Sequence, residues 1–298
     1  MAFMASRVHR FFMTATMTAT MADSAEITRQ AKSNLAFALQ ILPKERRDGM
    51  VTFYAFCRVV DDLADDADRP LAEREEGLLA WKDGLENGFV NPDPLQKEVV
   101  EMMQRYEIPV HLLTAIIEGC RMDLRPQRFG TWEDLSQYTW KVACAVGLAS
   151  LKVFGATDPA SERYAVALGH ALQLTNILRD VGEDLSNGGR IYLPLADFVR
   201  FQYSERDLIG RVYDGRFAAM MAYQADRATA FYQEAVAAMP KSDARALVPA
   251  EIMRSIYQTL LEKMRKDGFK VFDQRYKLSK ARKMAIFSKH LLRLGSAA

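Results

Sequence analysis

The chain has little that would staple, anchor or disorder it. Its 298 residues hold three cysteines, Cys57, Cys120 and Cys144, far apart in sequence and each among apolar neighbours. No Cys-x-x-Cys occurs, which excludes a disulfide framework and a zinc site and suits a reducing compartment. Glycine (16) and proline (10) are sparse, so a collagen-like or low-complexity chain is excluded. Histidine is scarcer. None of His9, His111, His170 or His290 has a glutamate three residues before it, which argues against a carboxylate-bridged di-iron bundle. No apolar run approaches the ~18–20 residues of a membrane span. No Gly-x-Gly-x-x-Gly dinucleotide fingerprint is present.

Charge of one sign is also lacking on average, since 40 basic residues face 38 acidic ones. The average hides a segregation. Residues 263–298 carry eleven Lys/Arg against Asp267 and Asp273, a surplus of +9, and the rest of the chain is −7. The overall balance speaks against a nucleic-acid partner. The basic tail reads as a solvated face, with Lys280, Arg282, Lys283 and Lys289 also suited to peripheral contact with a membrane surface. A cytoplasmic location is expected.

What remains is helical. Residues 1–22 contain no acid, two arginines and five methionines. They are read as an extension outside the fold, with Met13, Met17 and Met21 as alternative starts; a cleaved targeting segment is the other reading. From Asp23 on, helical periodicity predicts elements over 24–41, 44–66, 71–87, 95–106, 110–123, 132–154, 159–185, 215–238, 243–267 and 280–293. Pro43, Pro70, Pro109, Pro159, Pro194 and Pro240 punctuate them. Strand-like alternation is confined to Ile191–Leu193, and 186–214, with Gly188-Gly189, reads as a long connection. The expectation is one all-α domain over 23–298.

Two carboxylate clusters stand out. Asp61, Asp62, Asp65, Asp66 and Asp68 close the helix that begins near Lys44. They sit at the negative end of its dipole, as like charges at i,i+4, where each pair is mildly destabilising. The second cluster is Asn176-x3-Asp180-x3-Asp184, with Arg179 and Glu183 beside it. Each four-residue step advances about 40° around a helix, so the three oxygens share one face. Oxygen ligands so spaced suit Mg²⁺. A solvated helix end and a polar seam between helices are the plain alternatives. Arg58 near Asp61 and Arg179 beside Asp180 add cations, and a carboxylate–arginine set suits a diphosphate bridged by metal.

At these residues the chain resembles the squalene/phytoene synthase family, the head-to-head prenyl synthases, over roughly 24–292. The blocks that carry the resemblance are ILPKERR (41–47), YAFCRVVDDLADD (54–66), GCRMDL (119–124), YTWKVACAVGL (138–148), QLTNILRDVGEDLSNGGRIYLP (173–194) and KVFDQRYKLSKARK (270–283). The resemblance implies an all-α isoprenoid synthase fold, a single-domain helical bundle with a central cavity. It implies Asp61 and Asp65 as one metal site, and Asn176, Asp180 and Asp184 as the other. It implies Arg58, Arg179, Arg190, Arg275 and Tyr257 at diphosphate-contacting positions, with Ser33 and Asn34 at an N-terminal phosphate-contacting pair. Tyr54, Tyr138, Gln173 and Tyr192 fall at cavity positions near the reacting centre.

The expected cofactor is Mg²⁺, with Mn²⁺ as a substitute; NADPH enters only for a complete squalene synthase. The expected substrates are prenyl diphosphates. Within the family the likeness is greatest to presqualene diphosphate synthases, which join two farnesyl diphosphates for squalene and hopanoid formation. Phytoene synthase, joining two geranylgeranyl diphosphates for carotenoids, is the alternative; an inactive member serving as an assembly factor is the lesser one. Squalene- or carotenoid-pathway enzymes downstream are the expected functional neighbours.

Overall fold

The computed structural model describes residues 38–295, with side chains through 292. The expectations for 1–22, for the start of the 24–41 helix and for Ser33 and Asn34 lie outside the described residues. Within them the chain is helical and contains no strand. A 3₁₀ turn at Leu39–Ile41 leads into α1 (Lys44–Asp65), α2 (Leu71–Asn87), α3 (Pro94–Arg105), α4 (Val110–Met122) and α5 (Trp132–Thr139). A π turn (Trp140–Cys144) then runs into α6 (Ala145–Phe154). The second half comprises α7 (Ala160–Ser186), α8 (Leu195–Arg200), α9 (Glu205–Ile209), α10 (Gly215–Ala238), α11 (Val248–Lys266) and α12 (Lys280–Gly295).

Local chemistry sets these boundaries. Asp93 and Gln96 form a reciprocal capping box on α3, with Pro94 in the first turn, where its missing N–H costs nothing. Thr131 and Asp134 do the same for α5. Asp214 caps α10 by accepting from the Arg216 and Phe217 backbone N–H groups. α11 starts at Val248 rather than near 243 because Pro249 opens the helix and Asp243 is engaged elsewhere. The Asp243 carboxylate accepts from Thr157 N (2.9 Å), Asp158 N (2.8 Å) and Ser161 Oγ (2.7 Å), tying down the turn that begins α7.

Three sequence expectations are refined. The helix over 132–154 keeps its bounds and carries the π turn within it, which the helical period of its apolar residues does not reveal. The 186–214 connection contains α8 and α9, each too short to display a period; only the Ser204–Asp207 capping box marks α9. Ile191–Leu193 forms no strand among the described residues. Ile191 and Leu193 are buried, and the chain that follows bonds the α4–α5 connection through Leu195 N to Phe129 O (2.8 Å).

α7 is the central helix, packed by α10, the π turn, α6 and α11. Residues 167–182 are buried without interruption. A helix buried all round is normally apolar. This one buries Gln173, Asn176, Arg179 and Asp180, so those polar groups need an internal destination. α1 buries Met50, Phe53, Tyr54, Phe56, Cys57 and Val60 and then ends in the acidic run. The three cysteines are buried free thiols. No helix among the described residues is long and apolar enough to cross a membrane.

Candidate active site

The polar face of α7 and the acidic end of α1 meet. Asp61 and Asp65 from α1, and Gln173, Asn176, Asp180, Glu183 and Asp184 from α7, line one cleft of about 540 Å³. Asp123, Tyr138, Arg190, Tyr192 and Arg275 complete its walls. The two clusters, 119 residues apart between Asp61 and Asp180, therefore form one site.

Arginines counter this charge. Arg190 Nη2 donates to Asp65 Oδ1 (2.9 Å) and to the Asp123 carbonyl (3.0 Å). Gly188 and Gly189, both in the left-handed region (φ 82° and 67°), turn the chain past α7 so that Arg190 reaches across to α1. Arg179 Nε donates to Asp180 Oδ1 (2.8 Å) and is also hydrogen-bonded to Tyr257 of α11. Arg275 Nε lies 3.5 Å from Asp180 Oδ1 and 3.2 Å from Glu183 Oε2. Its segment packs directly on α7 at Gly182, where a Cβ would meet the Val271 carbonyl oxygen at 2.5 Å. Burial opposes the charge on Arg179, but Asp180 and the hydrogen bonds outweigh it and keep the guanidinium protonated. Burial, with the negative charge of Asp65 adding to it, pushes the Asp61 carboxyl up to about 7.

An aromatic wall lies beside the charges. Tyr138 and Tyr192 stack with centroids 5.2 Å apart, and Phe129 joins them at 5.6 and 6.2 Å. Asp123, at the end of α4, fixes the pair. Its Oδ2 accepts from the Tyr138 hydroxyl (2.8 Å) and its Oδ1 from the Tyr192 hydroxyl (2.7 Å). Burial, then the Asp123 charge, hold both phenols far above their ordinary pKa, so they remain neutral donors. Sequence reasoning quoted the block around Asp123 but assigned it no role. Its one sequence signal is a carboxylate directly after the last turn of a largely buried helix.

Not every expected residue reaches the cleft. Arg58 points along α1 and pairs with Asp62 (2.6 Å) on a more exposed face. Tyr54 is buried in the core and is not part of the lining. Arg179 and Tyr257 lie behind Asp180, and Tyr257 bears on the site through Arg179.

The donor set fits a divalent cation. Gln173 Oε1 and both side-chain atoms of Asn176 are buried with no hydrogen-bond partner among the described residues. Such atoms are costly unless a ligand or ion satisfies them. They sit among carboxylate oxygens, the ligands that Mg²⁺ takes. As the side chains stand, no three His, Cys, Asp or Glu groups among the described residues are gathered around one metal position, in keeping with arginine acting as counter-charge to Asp65 and Asp180.

The squalene/phytoene synthase family model matches residues 28–282. The chain belongs to that family. It is 35% identical over 281 residues to a phytoene synthase of Arthrospira platensis, covering 86% of this chain and 89% of the other. It is 32% identical over 262 residues to a presqualene diphosphate synthase of Rhodopseudomonas palustris, covering 87% and 93%. A dehydrosqualene synthase crystal structure superposes with TM-score 0.76 at 29% identity, covering 92% and 95%. A squalene synthase from Alicyclobacillus acidocaldarius gives 0.74 at 27%, covering 83% and 93%. The family is one of head-to-head prenyltransferases, and the all-α fold agrees with it.

Asp123 yields a test that separates ring positioning from folding. Asp123→Asn keeps an acceptor for one hydroxyl only, so the expected result is a fall in kcat of about 10–100-fold with KM and melting temperature little changed. An unchanged kcat would remove Asp123 from the site's machinery.

Proposed function

We propose that the cleft joins two farnesyl diphosphates head-to-head to give presqualene diphosphate. The observation that carries this is the convergence of two carboxylate-bearing helix faces, Arg190, Arg275 and an Asp123-fixed aromatic wall on one cleft. An apolar pocket further along α7 suits the hydrocarbon.

Asp61, Asp65, Asn176, Asp180 and Asp184 are the residues that would hold the metal. Bound there, Mg²⁺ supplies charge neutralisation of the diphosphate oxygens. Arg190 and Arg275 bind the same anionic head group, and Arg179 holds Asp180 in place from behind. With its charge countered, the donor's diphosphate leaves with the electron pair of its C1–O bond. The C1 allylic cation that remains faces the rings of Tyr138, Tyr192 and Phe129, whose π faces attract positive charge. The C2–C3 double bond of the second substrate attacks C1, and loss of a C1 proton closes the cyclopropane. Released diphosphate, or a tyrosine hydroxyl relaying to water, accepts that proton. The buried walls keep water from the cation.

The choice of farnesyl diphosphate is supported by the short apolar pocket, whose α7 lining spans only Tyr164 to Leu172, and by likeness to the presqualene diphosphate synthase. A second reading, phytoene from two geranylgeranyl diphosphates, is supported by the 35% identity to a phytoene synthase. Peripheral membrane contact belongs to the same proposal. On α12, Ala281, Met284, Ala285, Ser288, Leu291 and Leu292 form an exposed stripe at helical spacing, flanked by Lys280, Arg282 and Lys289. Basic charge around an exposed apolar stripe suits an anionic bilayer surface.

Incubating the purified protein with Mg²⁺ and C15 or C20 diphosphate, then identifying the lipid, is the deciding assay. Presqualene diphosphate from C15 is expected, with Asp61→Ala reducing turnover by about 10²–10³-fold. A C40 hydrocarbon from C20 alone establishes the second reading, and no product from either leaves an inactive relative. For the membrane surface, co-flotation with phosphatidylglycerol vesicles is expected at low salt and not at high salt or in Met284→Glu/Leu292→Glu protein. Salt-independent flotation contradicts it.

A further inference from the structure

The apolar pocket lies between the π turn and α6, α7 and α11. α6 and α7 run antiparallel. Gly169 sits against Cys144, and Gly147 against Ala165. On α7 the lining starts at Leu172, next to the cleft residue Gln173, and ends at Tyr164, one turn into the helix. Eight residues of helix are about 12 Å. On the facing run it goes from Ala143, in the π turn, to Phe154, the last residue of α6. The pocket therefore has a near end at the cleft and a far end at the α6–α7 turn.

Tyr164 stands at that far end, and it is tethered. Its ring is wholly buried, and its hydroxyl donates to Glu251 Oε1 (2.9 Å). Arg254 grips the same carboxylate in a fork, Nε to Oε1 and Nη2 to Oε2, both at 2.7 Å. Glu251 and Arg254 each follow a pocket residue on α11, Ala250 and Met253. A carboxylate next to an apolar wall is tolerable only when paired and hydrogen-bonded. The ring cannot swing aside without removing one of its acceptor's partners. The backbone beneath is fixed too, because Asp243 holds the Thr157–Ser161 turn. This end of the pocket is rigid, whereas its other end, at Leu172, lies one residue along α7 from the cleft residue Gln173.

We propose that Tyr164, held by the Glu251–Arg254 pair, is the stop that sets the length of hydrocarbon the enzyme accepts. The inference rests on the proposed condensation of prenyl diphosphates and adds which residue selects among them. An alkyl chain entering from the cleft runs along α7 toward the ring, and one further isoprene unit must displace it. A pocket discriminates between chains by the methylenes it admits, and a steric stop sharpens that discrimination.

The test offers wild-type protein an equimolar mixture of C15, C20 and C25 diphosphates with Mg²⁺ and reads product carbon number by mass spectrometry. Tyr164→Ala, which removes the ring, is expected to raise the share of longer products about tenfold or more. Tyr164→Leu should move it in the same direction and serves if the alanine protein does not fold, as judged by circular dichroism. Tyr164→Phe keeps the ring but frees it from Glu251, so a shift toward longer products smaller than that of Tyr164→Ala is expected. A loss of packing alone lowers yield without shifting the length ratio. Condensation by wild type, with an unchanged ratio in folded Tyr164→Ala or Tyr164→Leu protein, overturns the stop and leaves the proposed function standing. A wild-type protein that condenses none of the three overturns both.

Discussion

The site depends on holding like charges together inside a helical bundle. α1 ends in Asp61 and Asp65, and α7 presents Asp180, Glu183 and Asp184 to the same cleft. Carboxylates facing each other away from bulk water repel strongly and lose hydration. The fold tolerates this because Arg190 crosses to Asp65, while Arg179 and Arg275 meet Asp180. The same guanidinium groups and carboxylates are what a metal-bridged diphosphate calls for, so the feature that burdens the unliganded fold is the one we propose as the head-group site.

Much of the rest of the structure serves that arrangement. α7 is enclosed by α6, α10 and α11, which holds its polar face still. Gly188 and Gly189 return Arg190 toward α1, and Gly182 admits the segment that carries Arg275. Next to the charged cleft, Asp123 clamps two stacked tyrosines, giving the cleft a neutral, π-rich wall beside its charges. Further along α7 the lining becomes apolar and ends at a ring held by an ion pair. Charge, aromatic face and hydrocarbon pocket thus follow one another along a single helix.

The sequence made some of this legible and hid the rest for physical reasons. The i,i+4 spacing of Asn176, Asp180 and Asp184 fixes a shared helix face, and their apolar neighbours imply burial; both hold in the structure. The meeting of Asp61 with Asp180 was inferable only as a pairing of two unusual faces, because tertiary contact leaves no local pattern. Arg58 sits one turn from Asp61 yet pairs with Asp62, a choice of side-chain direction that spacing alone does not fix. Asp123 and Glu251 were invisible as key groups because isolated acids at helix ends and in helix first turns are ordinary. The π turn escaped because one extra residue barely disturbs apolar periodicity, and α8 and α9 because five or six residues cannot display it.

The central claim is that the facing carboxylates and arginines bind diphosphate through a divalent cation. Isothermal calorimetry of inorganic diphosphate, with and without Mg²⁺, on wild-type and Asp180→Asn protein tests it most directly. The account predicts binding that requires Mg²⁺ and weakens at least about tenfold in the variant. Equal affinity with and without Mg²⁺ in both proteins would contradict it.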